Sequence, residues 1–154
     1  MKTVAVIGID PGKSGAMALI AADGTVDIQD WEDGPIVASK LLGWTQDYQI
    51  KGVGLERVHS MPKQGVASTF KFGENFGIYQ GLLLAHMLAF ETVTPQSWMK
   101  SYSIVKKGPN DKPSLTVARQ MFPSAPLKLK KHDGRADALL LAEHIRRTTN
   151  AFRS

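Results

Sequence analysis

The chain has 154 residues, 43% hydrophobic and 21% charged, the balance of a folded soluble protein with a sizeable core. It has no cysteine, which excludes disulfides, thiolate metal sites and cysteine nucleophiles. No apolar run reaches the roughly 18 residues of a membrane span, and the first residues lack the layout of a signal peptide. A single cytoplasmic domain over residues 1–154, with no membrane contact, is expected.

Net charge is +5, unevenly spread: residues 1–99 carry 7 Lys/Arg and 10 Asp/Glu, residues 100–154 carry 12 and 4. A basic half points to an anionic partner, most commonly nucleic acid.

In chain order, Thr3 to Ile9 reads as a buried Val/Ile-rich strand. Gly15 to Ala22 reads as its hairpin partner, and Asp23-Gly24 as the turn into a third strand, Thr25 to Trp31. Pro35 opens a helix over Ile36 to Tyr48. Gly52 to Val58 is strand-like, and residues 59–67 form a polar loop. Ser68 to Phe90 has helical apolar spacing. Glu91 to Thr94 is a brief strand, and Thr94-Pro95 opens a short helix that holds Trp98. Residues 103–112 form a basic Gly/Pro loop, Ser114 to Met121 a helix, residues 124–131 a Pro/Lys-rich lead-in, and Asp133 to Thr149 the last helix. Three antiparallel strands followed by alternating helices and strands predict a mixed sheet with helices on its faces.

Four carboxylates stand out. Asp10 ends the first strand, before a Pro-Gly turn whose backbone it can also cap. Glu56 lies in VGLERV, a strand of apolar neighbours, where a carboxylate is costly unless paired or metal-bound. Asp133 and Asp137 open the last helix in KHDGRADALLLAEH and share a helix face, so they repel. If the first and fourth strands are neighbours, Asp10 and Glu56 project from one face, and a helix packed there adds Asp137. Such an oxygen-only cluster suits Mg²⁺ or Mn²⁺, and paired ions of this kind drive in-line attack of water on a phosphodiester.

GIDPG, LERV and HDGRADALLLA, in this order and spacing, resemble the RuvC-like Holliday junction resolvases of the ribonuclease H-like superfamily, divergent or phage-type members above all. The resemblance spans nearly the whole chain. It implies a five-stranded sheet of order 3-2-1-4-5, a homodimer, two Mg²⁺ ions per site (Mn²⁺ substituting), no nucleotide cofactor, and paired nicks in four-way DNA junctions. By resemblance Asp10, Glu56 and Asp137 are metal ligands. The family's fourth ligand position falls on Gly134 here, so Asp133 is expected to substitute, with His132 as a second candidate ligand or base.

Lys106, Lys107, Lys112, Lys130 and Lys131 flank the acids as expected phosphate contacts. Lys112 resembles a family lysine at the scissile phosphate. Lys13, Lys71 and Arg135 complete the expected DNA contacts. Phe70 is the aromatic expected to stack on unpaired bases, while Phe72 and Trp98 read as core. Gly73, Gly77 and Gly81 recur along one helix face, which suits either a partner helix or close packing on the protein's own sheet. Two other functions fit this fold: a non-catalytic junction-binding module, and a broader branched-DNA or RNA–DNA hybrid nuclease.

Overall fold

The computed structural model describes residues 1–57, 65–108 and 111–153. Most of the polar loop expected over residues 59–67, and two positions of the basic loop over 103–112, lie outside the described residues. The elements are β1 (Thr3–Asp10), β2 (Ala16–Ala21), β3 (Val26–Asp30), α1 (Gly34–Asp47), β4 (Tyr48–Glu56), α2 (Val66–Ala85), β5 (Glu91–Val93), α3 (Pro95–Lys100), α4 (Pro113–Met121), a 3₁₀ turn (Lys130–His132) and α5 (Asp133–Thr149). The strands form one sheet in the order β3-β2-β1-β4-β5. β1, β2 and β3 pair antiparallel, while β4 runs parallel to both β1 and β5. Among the described residues no helix is long and apolar enough to cross a membrane.

Strand side chains alternate between the two faces. Ala5, Ile7 and Ile9 of β1 and Val53 and Leu55 of β4 pack with Val37, Leu41 and Trp44 of α1 and with Tyr79 and Leu83 of α2. The opposite face carries Val6, Ala16, Ala18 and Ile20 against α3, α4 and Ala136–Ala142 of α5. Gly8, Gly52 and Gly54 belong to that second face, and each is squeezed by α5. An added Cβ on Gly8 would overlap the Ala138 carbonyl oxygen and the Ala142 nitrogen, and one on Gly52 or Gly54 would meet Ile145. The helix therefore lies nearly backbone-to-backbone on β1. Asp10 and Glu56 end their strands on this same face.

Two boundaries differ from the sequence reading by four residues or more. β4 begins at Tyr48 rather than Gly52, because Gln49 and Lys51 alternate outward from a half-buried strand and carry no apolar run. α2 stops at Ala85 rather than Phe90. Met87 takes a left-handed conformation (φ 56°), its N–H donates to Leu84 O, and the Leu88 N–H donates to Leu83 O. That is a Schellman stop made without the usual glycine, so its ordinary marker is missing from the sequence.

The glycine stripe of α2 is also resolved. Among the described residues a Cβ on Gly73, Gly77 or Gly81 would meet nothing within 4 Å, so the stripe does not pack on its own sheet. Gly8→Ala is expected to destabilise the fold by at least about 1–3 kcal/mol, the usual cost of overpacking. Gly77→Ala should instead stabilise the isolated chain by up to about 1 kcal/mol. Urea denaturation of both variants at low protein concentration checks the pair.

Candidate active site

Ile9 of β1 pairs with Leu55 of β4, so Asp10 and Glu56 follow each other across the strand ends and point toward α5. Helix α5 reaches this point because Gly134 abuts the β1–β2 turn: a Cβ there would overlap the Ser14 carbonyl oxygen. Asp137, one turn further, then comes close enough to Asp10 and Glu56 for the three charges to act on one another. Glu56 is 6% exposed, while Asp10 and Asp137 are half-buried.

Burial and mutual repulsion dominate this cluster. Burial pushes Asp10 up to about 6, against the pull of the Gly12 N–H, and Asp133 adds to the rise. Asp137 is pushed up to about 7, first by burial and then by Asp10, against the Ser114 hydroxyl and Lys106. Glu56 rises well above the carboxylate range through burial, Asp10 and Asp137, and the Trp98 indole counters only part of it. The chain thus places more negative charge here than its own cations neutralise.

Three of the four acids have a protein donor. Gly12 N–H donates to Asp10 Oδ1 at 3.0 Å, and Trp98 Nε1 donates to Glu56 Oε2 at 2.7 Å. Lys112 Nζ donates to Asp133 Oδ2 at 2.8 Å. Among the described residues no three acidic or His side chains converge on one point that holds a metal ion. The donor chemistry nevertheless fits a hard divalent cation: oxygen ligands only, buried, and short of counter-charge.

Gly134, where the resemblance implies the fourth ligand, has no room for a side chain. Any side chain there would collide with the Ser14 backbone. Asp133 acts electrostatically on both Asp10 and Asp137. His132 lines a pocket on the β3 side of the acids, with Lys13, Gly15 and Lys131. Its Nδ1 accepts the Leu129 N–H at 3.2 Å, and its charged neighbours are Arg135, Asp30, Lys131 and Arg119.

The expected DNA contacts divide by position. Lys106 borders an open cleft of about 940 Å³ that Glu56 and Asp137 also line. Lys107, Lys112 and Lys130 are exposed, Lys112 on Asp133 and Lys130 in the turn that leads into α5. Lys13 lies on the other flank with Lys131. Lys71 pairs with Glu74 at 3.0 Å and sits 6.0 Å over the Trp31 ring. Phe70 is 71% exposed, whereas Phe72 stacks on Phe76 at 6.3 Å. Arg135, the remaining expected contact, is bonded within the chain. Its guanidinium donates to both Asp30 carboxylate oxygens at 2.8 Å and to the Pro126 carbonyl at 3.0 Å, so it ties the start of α5 to the end of β3.

Two contacts escaped the sequence reading. Trp98 is core, as expected, but its indole N–H holds Glu56. Ser114, buried at the start of α4, lies against Asp137. Neither residue type announces such a role at its position.

These charges predict an inverted pH response. Asp10 and Asp137 release protons at about 6 and about 7 in the fold but near 3.8 when unfolded. Between those values the folded state holds more protons, so stability falls as pH rises from about 4 to about 7. Asp137→Asn should raise stability by roughly 1–3 kcal/mol at pH 8 and change it little at pH 4. Thermal melts of both proteins at the two pH values, without divalent ions, check this. Trp98→Phe should cost about 1–3 kcal/mol by leaving the buried Glu56 without its donor, as read by urea denaturation at pH 6.

No protein-family model matches the chain, and no curated protein sequence is significantly similar to it. Solved structures do match. A structure of Thermus thermophilus RuvC in complex with Holliday junction substrate superposes with a TM-score of 0.66 at 12% identity, covering 96% of this chain and 97% of that one. A second T. thermophilus RuvC structure gives 0.65 at 15% identity, with the same coverage. The yeast mitochondrial Holliday junction resolvase Ydc2 gives 0.53 at 16% identity, covering 99% of this chain and 85% of that one. Strand order, strand directions and superposition agree: the chain has the ribonuclease H-like fold of the RuvC-type resolvases.

Proposed function

We propose that this chain is a divalent-metal-dependent DNA endonuclease that resolves four-way junctions as a homodimer. The observation that carries this reading is the meeting of Asp10, Glu56 and Asp137 at one end of the sheet, buried and raising one another's proton affinity, with lysines on both flanks. The structural neighbour bound to Holliday junction substrate supports branched DNA as the ligand.

In this reading Asp10, Glu56 and Asp137 hold two Mg²⁺ ions, with Asp133 as the fourth acid. Bound Mg²⁺ supplies activation of the attacking water and neutralisation of charge on the phosphodiester. Burial on β1 and β4 fixes Asp10 and Glu56, and the Trp98 indole orients the Glu56 carboxylate. Lys112 is paired with Asp133 at 2.8 Å and partly exposed, so it can pass to an incoming phosphate oxygen while staying beside the acids. Lys106 neutralises phosphate in the cleft next to Asp137. Phe70 stacks on a base at the opened junction centre. The exposed face of α2, with its glycine stripe and with Phe70 and Leu84 at 71% and 63% exposure, meets the second protomer.

The existing bonds to Asp10, Glu56 and Asp133 favour one other reading, a junction-binding module without catalysis. The deciding test is nicking of a synthetic immobile four-way junction in Mg²⁺ or Mn²⁺, with linear duplex as control. Wild type should make paired nicks, and Asp10→Asn should lose at least about 10³-fold in rate while still binding the junction. Tight binding without cleavage by wild type would instead establish the non-catalytic module. Lys112→Ala should slow cleavage about 10- to 100-fold and weaken junction binding less than that.

A further inference from the structure

The carboxylates have a groove on each side. The cleft beside Lys106 lies toward β5. On the β3 side a smaller pocket of about 220 Å³ opens between the β1–β2 turn and the lead-in to α5, lined by Lys13, Gly15, Trp31, Lys131 and the Asp30–Arg135 pair. Its inner edge touches the active site, since a Cβ on Gly15 would lie 3.0 Å from the Asp10 carboxyl carbon. Among the described residues Asp30 is the only acid on its wall, and Arg135 occupies both of its oxygens. Arg135 holds Asp30 below the usual carboxylate range, and His132 and Lys131 add to this. Among the described residues Lys13 and Lys131 are in no ion pair, and both are exposed. The pocket therefore keeps two uncompensated cations beside a half-buried indole, at the rim of an acidic centre.

We infer that this pocket binds a second backbone phosphate of the strand being cleaved, on the β3 side of the scissile linkage, with Lys13 and Lys131 as its contacts. The inference rests on the nuclease reading above and adds to it a direction of travel for the strand: from the Lys106 cleft, over the carboxylates, to the Trp31-walled pocket. Arg135 does not serve the phosphate itself. It neutralises Asp30, which would otherwise repel the DNA, and it fixes the pocket wall through Pro126. Two lysines that bracket a phosphate contribute affinity that depends on salt, and little base preference.

The test uses the full chain and junctions that carry one neutral methylphosphonate linkage, moved stepwise along the cleaved strand. Binding is measured in Ca²⁺, over a series of salt concentrations. Wild type should lose affinity at the scissile linkage and at a second linkage on one side of it. The Lys13→Gln/Lys131→Gln double variant should bind charged and neutral junctions equally at that second linkage. Its log K against log salt slope should be shallower by about 1, the share of one phosphate contact. Lys13→Arg/Lys131→Arg should restore the sensitivity, and Lys51→Gln, at the opposite end of β4, should leave it as in wild type. A double variant that stays as sensitive as wild type at every linkage overturns the pocket while leaving the nuclease reading intact. A wild type that neither binds nor nicks the junction overturns both.

Discussion

The site depends on how closely α5 lies on β1. Side chains normally hold a helix away from the sheet it packs on, and here glycines remove them. Gly8 lets the Ala138 and Ala142 backbone settle onto the strand, and Gly134 lets the first turn of α5 press against the Ser14 carbonyl. That contact sets where Asp137 stands relative to Asp10 and Glu56. The Asp30–Arg135 pair, two bonds of 2.8 Å, fastens the same turn of α5 to the far edge of the sheet. Packing and ion pairing thus converge on one helical turn, the turn that carries the acids.

The same contact creates an electrostatic load. Three carboxylates held together in a half-buried pocket destabilise the fold once ionised, and the chain offsets this only in part, through the Trp98 indole, the Gly12 N–H, Ser114 and the flanking lysines. A fold selected for stability alone would replace one acid with an amide. Keeping all three is understandable if an external cation completes the balance. Under that condition the strain becomes affinity for the cation, and the protons held at low pH become competitors for it.

The fold was legible because its pattern is redundant. The apolar run in TVAVIGID, the Asp-Gly turn, and a last helix that runs from Asp133 to Thr149 as read leave few other arrangements. The meeting of Asp10 and Glu56 followed once β1 and β4 were neighbours, since both residues end strands on one face. Other features left weaker traces. The substitution at Gly134 showed as a gap in the acid pattern, but only the Ser14 carbonyl explains it. His132 and Arg135 carry the residue types of a metal ligand and a DNA contact, and the sequence shows nothing of the bonds they make to Leu129, Asp30 and Pro126. Trp98 combines an apolar body with a polar tip. A sequence reports the first and stays silent on what the second will hold.

The central claim is that the carboxylates gathered by α5 form a divalent-cation site. Anomalous diffraction from crystals grown with a four-way junction and Mn²⁺ tests it most directly. The account predicts Mn²⁺ peaks between Asp10, Glu56 and Asp137, with Asp133 turned from Lys112 toward the cluster, and no peak at the Glu56 position in a Glu56→Gln crystal. Junction-bound crystals with Mn²⁺ present, the carboxylates still on their protein donors and no anomalous signal among them would contradict it.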